Sequence, residues 1–175
     1  MRHVITAHPI VDTVLDRYRD QLGPQLPAYR HHVLRGLNYQ RDLLGANTVP
    51  DTAALAWAVH DLGVWTANTF DYLEPSAALA AEFTGEFGIT DLDTVQRLVM
   101  DHHRLRPVDD PLIETFRRAD RTDASRGLIR GGVSRAMIRA TVDALPYAGF
   151  HSILLRRGTS HALAHPTNPL PMLRW

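Results

Sequence analysis

The feature that most restricts this chain is the spacing of its apolar residues, which recur every three or four positions through nearly its whole length. That period buries one stripe of a helix and offers a strand no face to bury. Breakers and caps divide the pattern. Residues 10–20 predict a short helix closed by Gly23-Pro24. Pro27 opens the segment AYRHHVLRGLNYQRDLLG, which ends at Gly45 as a C-cap. Asp51, as N-cap, starts a helix that runs to Asp61, with Gly63 available for a left-handed cap. Residues 64–75 read as a loop carrying Trp65, Phe70 and Tyr72, and Ser76 then caps a helix through Phe87. Asp91 or Asp93 caps the next, through Val95, Leu98, Val99 and His102, and Pro111 opens another through Asp120. Helical patterns over 134–145 and 147–165 precede an extended tail, HPTNPLPMLRW. No alternating segment persists and no internal repeat is present. The expectation is an all-α protein, one compact domain over 1–175 with a helical C-terminal extension over 134–175.

Composition removes several kinds of chemistry. The 19 basic residues balance 19 acidic ones, so no net charge draws the chain to nucleic acid or to an anionic membrane. Every basic residue is arginine, which excludes Schiff-base and P-loop lysine chemistry. There is no cysteine, hence no disulfide, thiolate zinc site or cysteine nucleophile. The longest apolar run, AALAWAV, is far shorter than the roughly 20 residues of a membrane span. The N-terminal stretch lacks the continuous apolar region of a signal peptide, so the expected location is the cytoplasm.

The stretch LAWAVHDLGVW places His60 and Asp61 at the end of a helix that otherwise belongs to the core. A buried carboxylate costs several kcal/mol, about the effective penalty of removing one ion from water, unless something pairs with it or coordinates it. His102 extends the stripe Val95–Leu98–Val99, His32 lies one turn from Ala28 and Gly36, small residues that leave room beside its ring, and Asp120 lies one turn beyond Phe116. His3, His8, His151, His161 and His165 have no acidic neighbour at ligand spacing and read as surface or packing residues. Taken singly, each inward polar residue reads as a hydrogen-bonded core group. Together, histidines and carboxylates converging from separate helices suit a mixed nitrogen and oxygen shell for iron, manganese, zinc, cobalt or nickel.

His32 in YRHHVLRGLNY, the pair His60-Asp61 in VHDLG, and Asp120 in FRRADRTD resemble, in order and spacing, the His…His-Asp…Asp pattern of the HD-domain superfamily. The resemblance covers about residues 28–123. It implies an all-helical metal-dependent phosphohydrolase or relative in which His32, His60, Asp61 and Asp120 bind a divalent transition metal. Families with a second metal add histidines between the pair and the last aspartate, and His102 and His103 stand there. No other histidine lies between Asp61 and His102, which favours one metal over two.

Two departures bear on substrate. The lysine that often follows HDxG is replaced by Val64, and the acidic residue found nearby in some nucleotidases is missing. Phosphate binding then falls to arginine, and Arg35, three residues after His32, is the first candidate, with Arg104, Arg106, Arg117 and Arg121 behind it. Asp71, Glu74 and Glu82 are readable either as acid–base groups or as loop and cap charges. The expectation is a metal-dependent hydrolase of a small, nucleotide-like phosphate ester, with Asp61, Arg35 and His102 in catalytic roles. A cyanamide hydratase-like enzyme or a di-iron oxygenase is the alternative, and a non-catalytic ligand-binding module a third. The expected partner is a small-molecule substrate, with no nucleic acid or membrane, and a homodimer is left open.

Overall fold

At the centre of the fold stands the helix that the sequence makes apolar on every side. α4 (Asp51–Val59) buries each residue from Ala53 to Val59, the pattern of a helix with no solvent face. The computed structural model, which describes residues 3–173, packs α1 (Pro9–Arg17), α3 (Leu26–Leu43), α6 (Leu73–Leu79) and α8 (Leu92–Asp101) around it. α9 (Pro111–Ala124) crosses both α3 and α8, and α10 (Arg135–Ala144) and α11 (Phe150–Ala164) close over α3 from the other side. Short helices α2 (Arg19–Leu22), α5 (Gly63–Thr66) and α7 (Ala81–Thr84) fill the connections. There is no β-strand among the described residues, as the periodicity requires. No described helix is long and apolar enough to cross a membrane.

The helix starts follow local chemistry closely. The Asp91 carboxylate accepts from the Thr94 amide at the head of α8, and Asp110 accepts from the Leu112 and Ile113 amides at the head of α9. Pro111 sits at the first turn of α9, where its missing N–H costs nothing. Gly45, just past α3, takes φ 65°, a conformation that glycine adopts without a Cβ clash.

Elsewhere tertiary contacts overrule the local reading. Gly63 is not a left-handed cap: it begins α5, and its amide donates to the Ser76 hydroxyl at 2.9 Å. A Cβ there would stand 2.7 Å from the Tyr72 carbonyl oxygen, so close approach is what the glycine provides. Ser76 accordingly lies inside α6 instead of capping a helix, and Pro50, not Asp51, is the N-cap of α4. Part of the expected 64–75 loop is helical. The tail is not extended: residues 166–173 turn back and bury Met172, while residues 174–175 lie outside the described range.

Gly36 carries a similar lesson. The space beside it is filled by Trp57, not by the His32 ring. Trp57 stacks on Phe116 with centroids 4.0 Å apart and donates its indole N–H to the Gln40 amide oxygen at 2.7 Å. A methyl at Gly36 would fall 2.2 Å from that pinned ring. Gly36→Ala gains about 1 kcal/mol of helix propensity but must push a fully buried tryptophan aside, which costs about 1–3 kcal/mol. The expected result is a lower urea midpoint at unchanged slope. A variant as stable as the parent would contradict this packing.

Candidate functional site

The inner ends of α3, α4, α8 and α9 meet at one point, and each brings a histidine or a carboxylate. α3 supplies His32, the end of α4 supplies His60 and Asp61, the end of α8 supplies His102 and His103, and α9 supplies Asp120. His32, His60, Asp61, His102 and Asp120 are all buried, at 3% exposure or less. The residues singled out for metal binding in the sequence are therefore neighbours in space. His32 Nε2 lies 3.0 Å from His60 Nε2 and 3.5 Å from Asp61 Oδ2. Asp120 Oδ1 lies 3.6 Å from His32 Nε2 and 3.8 Å from His60 Nε2.

The rings are oriented from behind. His32 Nδ1 donates to Asp123 Oδ2 at 2.7 Å, His60 Nδ1 to the Trp57 carbonyl at 2.9 Å, and His102 Nδ1 to the Val99 carbonyl at 2.6 Å. Because each of these partners only accepts, each Nδ1 must carry a proton, and each Nε2 of the neutral ring presents a lone pair. Two such lone pairs 3.0 Å apart, with two carboxylates alongside, repel unless a positive charge stands among them. Asp61 Oδ1 and His102 Nε2 face each other at 3.5 Å, and neither atom has a hydrogen-bond partner among the described residues. Buried polar atoms are rarely left so.

The donor set fits a cation. Ligands at about 2.0–2.2 Å from one ion stand about 3.0–3.6 Å from one another in octahedral or tetrahedral arrangements, which matches the separations found here. Two groupings qualify on distance, His32–His60–Asp61 and Asp61–His102–His103, with donor atoms within 4.8 Å of one another in each. Asp61 belongs to both. Its amide is held by the Tyr29 hydroxyl at 3.3 Å, and that hydroxyl donates onward to the Ala58 carbonyl at 3.1 Å. His103 is 2.7 Å from the Tyr72 hydroxyl through Nε2 and 3.9 Å from Asp120 through Nδ1.

Arg35 is where the structure departs most from the sequence reading. It does not face the cluster as a phosphate clamp. Its guanidinium is fully buried, donating to both Asp123 oxygens at 2.6 and 2.8 Å and to the Leu145 and Pro146 carbonyls at 3.1 Å each. Arg35 thus secures Asp123, which secures His32, a supporting chain of the kind that tunes metal ligands. Asp123 was missed in the sequence, although it follows Asp120 by three residues and so shares its helix face. Tyr29 was missed as well, and so was the bond between the Tyr72 hydroxyl and His103, since nothing local marks an aromatic hydroxyl as inward. Arg117 is likewise occupied, with Glu114 and the Arg104 carbonyl. Glu82 bonds the Tyr18 hydroxyl at 2.8 Å, away from the cluster.

Charge is balanced in the metal-free protein by protons. Burial opposes a charged His60, but the carboxylates of Asp61 and Asp120 prevail and hold its pKa at about 10. His32 is also raised: burial opposes its charge, and Asp123 and Asp61 outweigh it. Asp61 is held well below the usual carboxylate range, because the surrounding histidines outweigh its burial. His103 moves the other way, to about 3, through burial and the neighbouring His102.

The signs fix a pH profile. The stabilisation from His60 is complete below its unfolded pKa of 6.5 and is lost as pH rises through about 10. His103 binds its proton more readily unfolded, so stability falls as pH drops from 6.5 towards 3, and Asp61 adds to that loss below 3.8. In chelator, the melting temperature should peak near pH 6.5 and decline on both sides, and saturating metal should flatten the alkaline side by replacing the proton. A melting temperature that climbs steadily to pH 9 in chelator would contradict the assignment.

The cluster opens into a cavity of about 150 Å³ walled by Phe70, Tyr72, Leu154, Leu170, Met172 and Leu173. A second recess of about 270 Å³, reached past His103 and Asp120, is bordered by Arg121. No family model, curated protein or solved structure matches this chain.

Proposed function

We propose that this chain is a metal-dependent hydrolase of the HD-domain type that acts on a small phosphate ester. The observation that carries the reading is the convergence of three histidine Nε2 lone pairs and two carboxylates in a buried pocket. His32, His60, Asp61 and Asp120 would hold the cation, which when bound would supply Lewis-acid chemistry and acidify a water to a pKa of about 7. The two oxygens of Asp61 face different histidines, which supports a second cation position with His102 and His103.

The protein's own groups do the remaining work. Asp123, Trp57 and Val99 hold the rings in the ligating tautomer. His103, kept neutral by burial, sits beside Asp120 and exchanges a hydrogen bond with Tyr72, a path for a proton leaving the site. The space beside the ligands is small and largely apolar: its inner part of about 150 Å³ is below the usual range for drug-sized ligands, and the recess of about 270 Å³ past His103 and Asp120 adjoins it. A small ester fills the inner part, whereas a nucleotide would have to reach into that recess. With Arg35 committed to Asp123, Arg121 is the arginine that borders the recess beside the site; one of its nitrogens donates to the Arg104 carbonyl at 3.0 Å, and its remaining N–H groups can meet a phosphate oxygen.

The apolar walls also favour a second reading, hydration of a small neutral molecule such as a nitrile. One experiment separates the two: elemental analysis, then phosphate release from small esters and nucleotides and urea release from cyanamide, each with and without chelator. Chelator-sensitive phosphate release, faster on small esters than on nucleotides, is the expected result. Urea without phosphate would establish the second reading, and a metal-free, inactive protein after metal-replete expression would overturn both.

A further inference from the structure

Between the α9–α10 connection and α10 lies a larger, open cleft of about 600 Å³ that none of the candidate metal ligands lines. Its border carries Arg126, Arg130, Arg135 and Arg139, against one carboxylate, Asp143. All four arginines are exposed, and none of their guanidiniums forms an ion pair among the described residues. Arg135 and Arg139 stand four apart on α10, where like charges repel by about 0.2–0.5 kcal/mol. Between them and the loop lie Ile138, Val142 and the Tyr147 ring, which already carries the buried Arg35 guanidinium 4.5 Å from its centroid and the His151 ring edge-on at 4.7 Å, with the exposed Arg126 guanidinium at 5.3 Å.

The loop that supplies the other two arginines is built, not slack. The Thr122 hydroxyl bonds the Arg130 carbonyl at 3.0 Å, the Ser125 hydroxyl accepts from the Ile129 amide at 2.9 Å, and the Gly127 amide donates to Thr122 at 2.8 Å. Arg126 is held at φ 53°, outside the usual range for a residue with a side chain, with its amide bonded to the Asp123 carbonyl at 2.9 Å. Arginines presented on a fixed frame around an apolar and aromatic floor match a ligand that is polyanionic at one end and flat at the other. Guanidinium forks bind phosphate oxygens in pairs, and a planar ring stacks on tyrosine or arginine. The volume is within the range of small-molecule sites.

We propose that this cleft is a binding site for a nucleoside polyphosphate, separate from the metal ligands, with Arg135 and Arg139 meeting the phosphates and the exposed Arg126 guanidinium, backed by Tyr147, stacking on the base. The test is calorimetric titration of the whole protein with ATP, adenosine, tripolyphosphate and a single-stranded RNA oligomer. ATP should bind at one site, more tightly than tripolyphosphate and far more tightly than adenosine. The double variant R135A/R139A, altered at exposed positions remote from the metal ligands, should lose at least about tenfold in ATP affinity with unchanged melting temperature and metal content. Absence of ATP binding, or equal binding by the double variant, would overturn the proposal. Tripolyphosphate binding as tightly as ATP would remove the base-binding half, and RNA binding more tightly than ATP would replace the nucleotide with a nucleic acid.

Discussion

Asp61→Ala should purify without metal under conditions that load the parent protein, and should lose metal-dependent activity with it. Asp61 is the one residue common to both candidate groupings, with Oδ2 3.5 Å from His32 and 3.4 Å from His60, and Oδ1 3.5 Å from His102. Removing it leaves four imidazoles and Asp120 without the carboxylate that joins them. The parent should also gain stability on metal addition, by about 2.7 kcal/mol at a hundredfold excess over Kd, whereas Asp61→Ala should show no shift. His3→Ala, remote from the cluster, is the control. Equal metal content in Asp61→Ala and the parent would place the metal elsewhere.

The second large effect belongs to Asp123, which binds no metal in this scheme. Asp123→Ala leaves the fully buried Arg35 guanidinium without its carboxylate, and breaking a buried pair from one side costs about 3–5 kcal/mol. For a chain of this size that is a fall in melting temperature of roughly 6–20 °C. His32 would lose the acceptor that fixes its Nδ1 proton, so metal affinity should fall about 10- to 100-fold as well. Arg35→Ala should likewise destabilise the fold and weaken metal binding, because its partner is Asp123. A phosphate clamp would behave otherwise, losing activity at unchanged stability and metal content. That outcome would restore the role first suggested by the spacing of Arg35 from His32.

Much of this architecture is legible before any tertiary structure is known. The helix class, the apolar character of α4 and the caps at Asp91 and Asp110 depend on residues within a turn or two of one another. So does the inward direction of His60, His102 and Asp120, since an apolar stripe tells which face a polar residue shares. Asp123 was within reach of the same argument, three residues past Asp120, but its charged neighbourhood in FRRADRTDA resembles a solvated face.

What only the tertiary structure decided is what each inward group meets. Arg35 lies on the right face of α3, but whether it meets a substrate or a carboxylate depends on Asp123, 88 positions away. Gly36 reads as room for His32 until Trp57, from another helix, occupies it. Gly63 and Ser76 look like caps because both residue types favour helix ends, yet they bond to each other across a close contact between α5 and α6. The size of the cavity rests on Met172 and Leu173 folding back from the far end of the chain. Periodicity and capping are local energies that a short window of sequence contains. Pairing a buried charge and filling a void are settled by whichever distant group arrives, so those assignments came only with the packed structure.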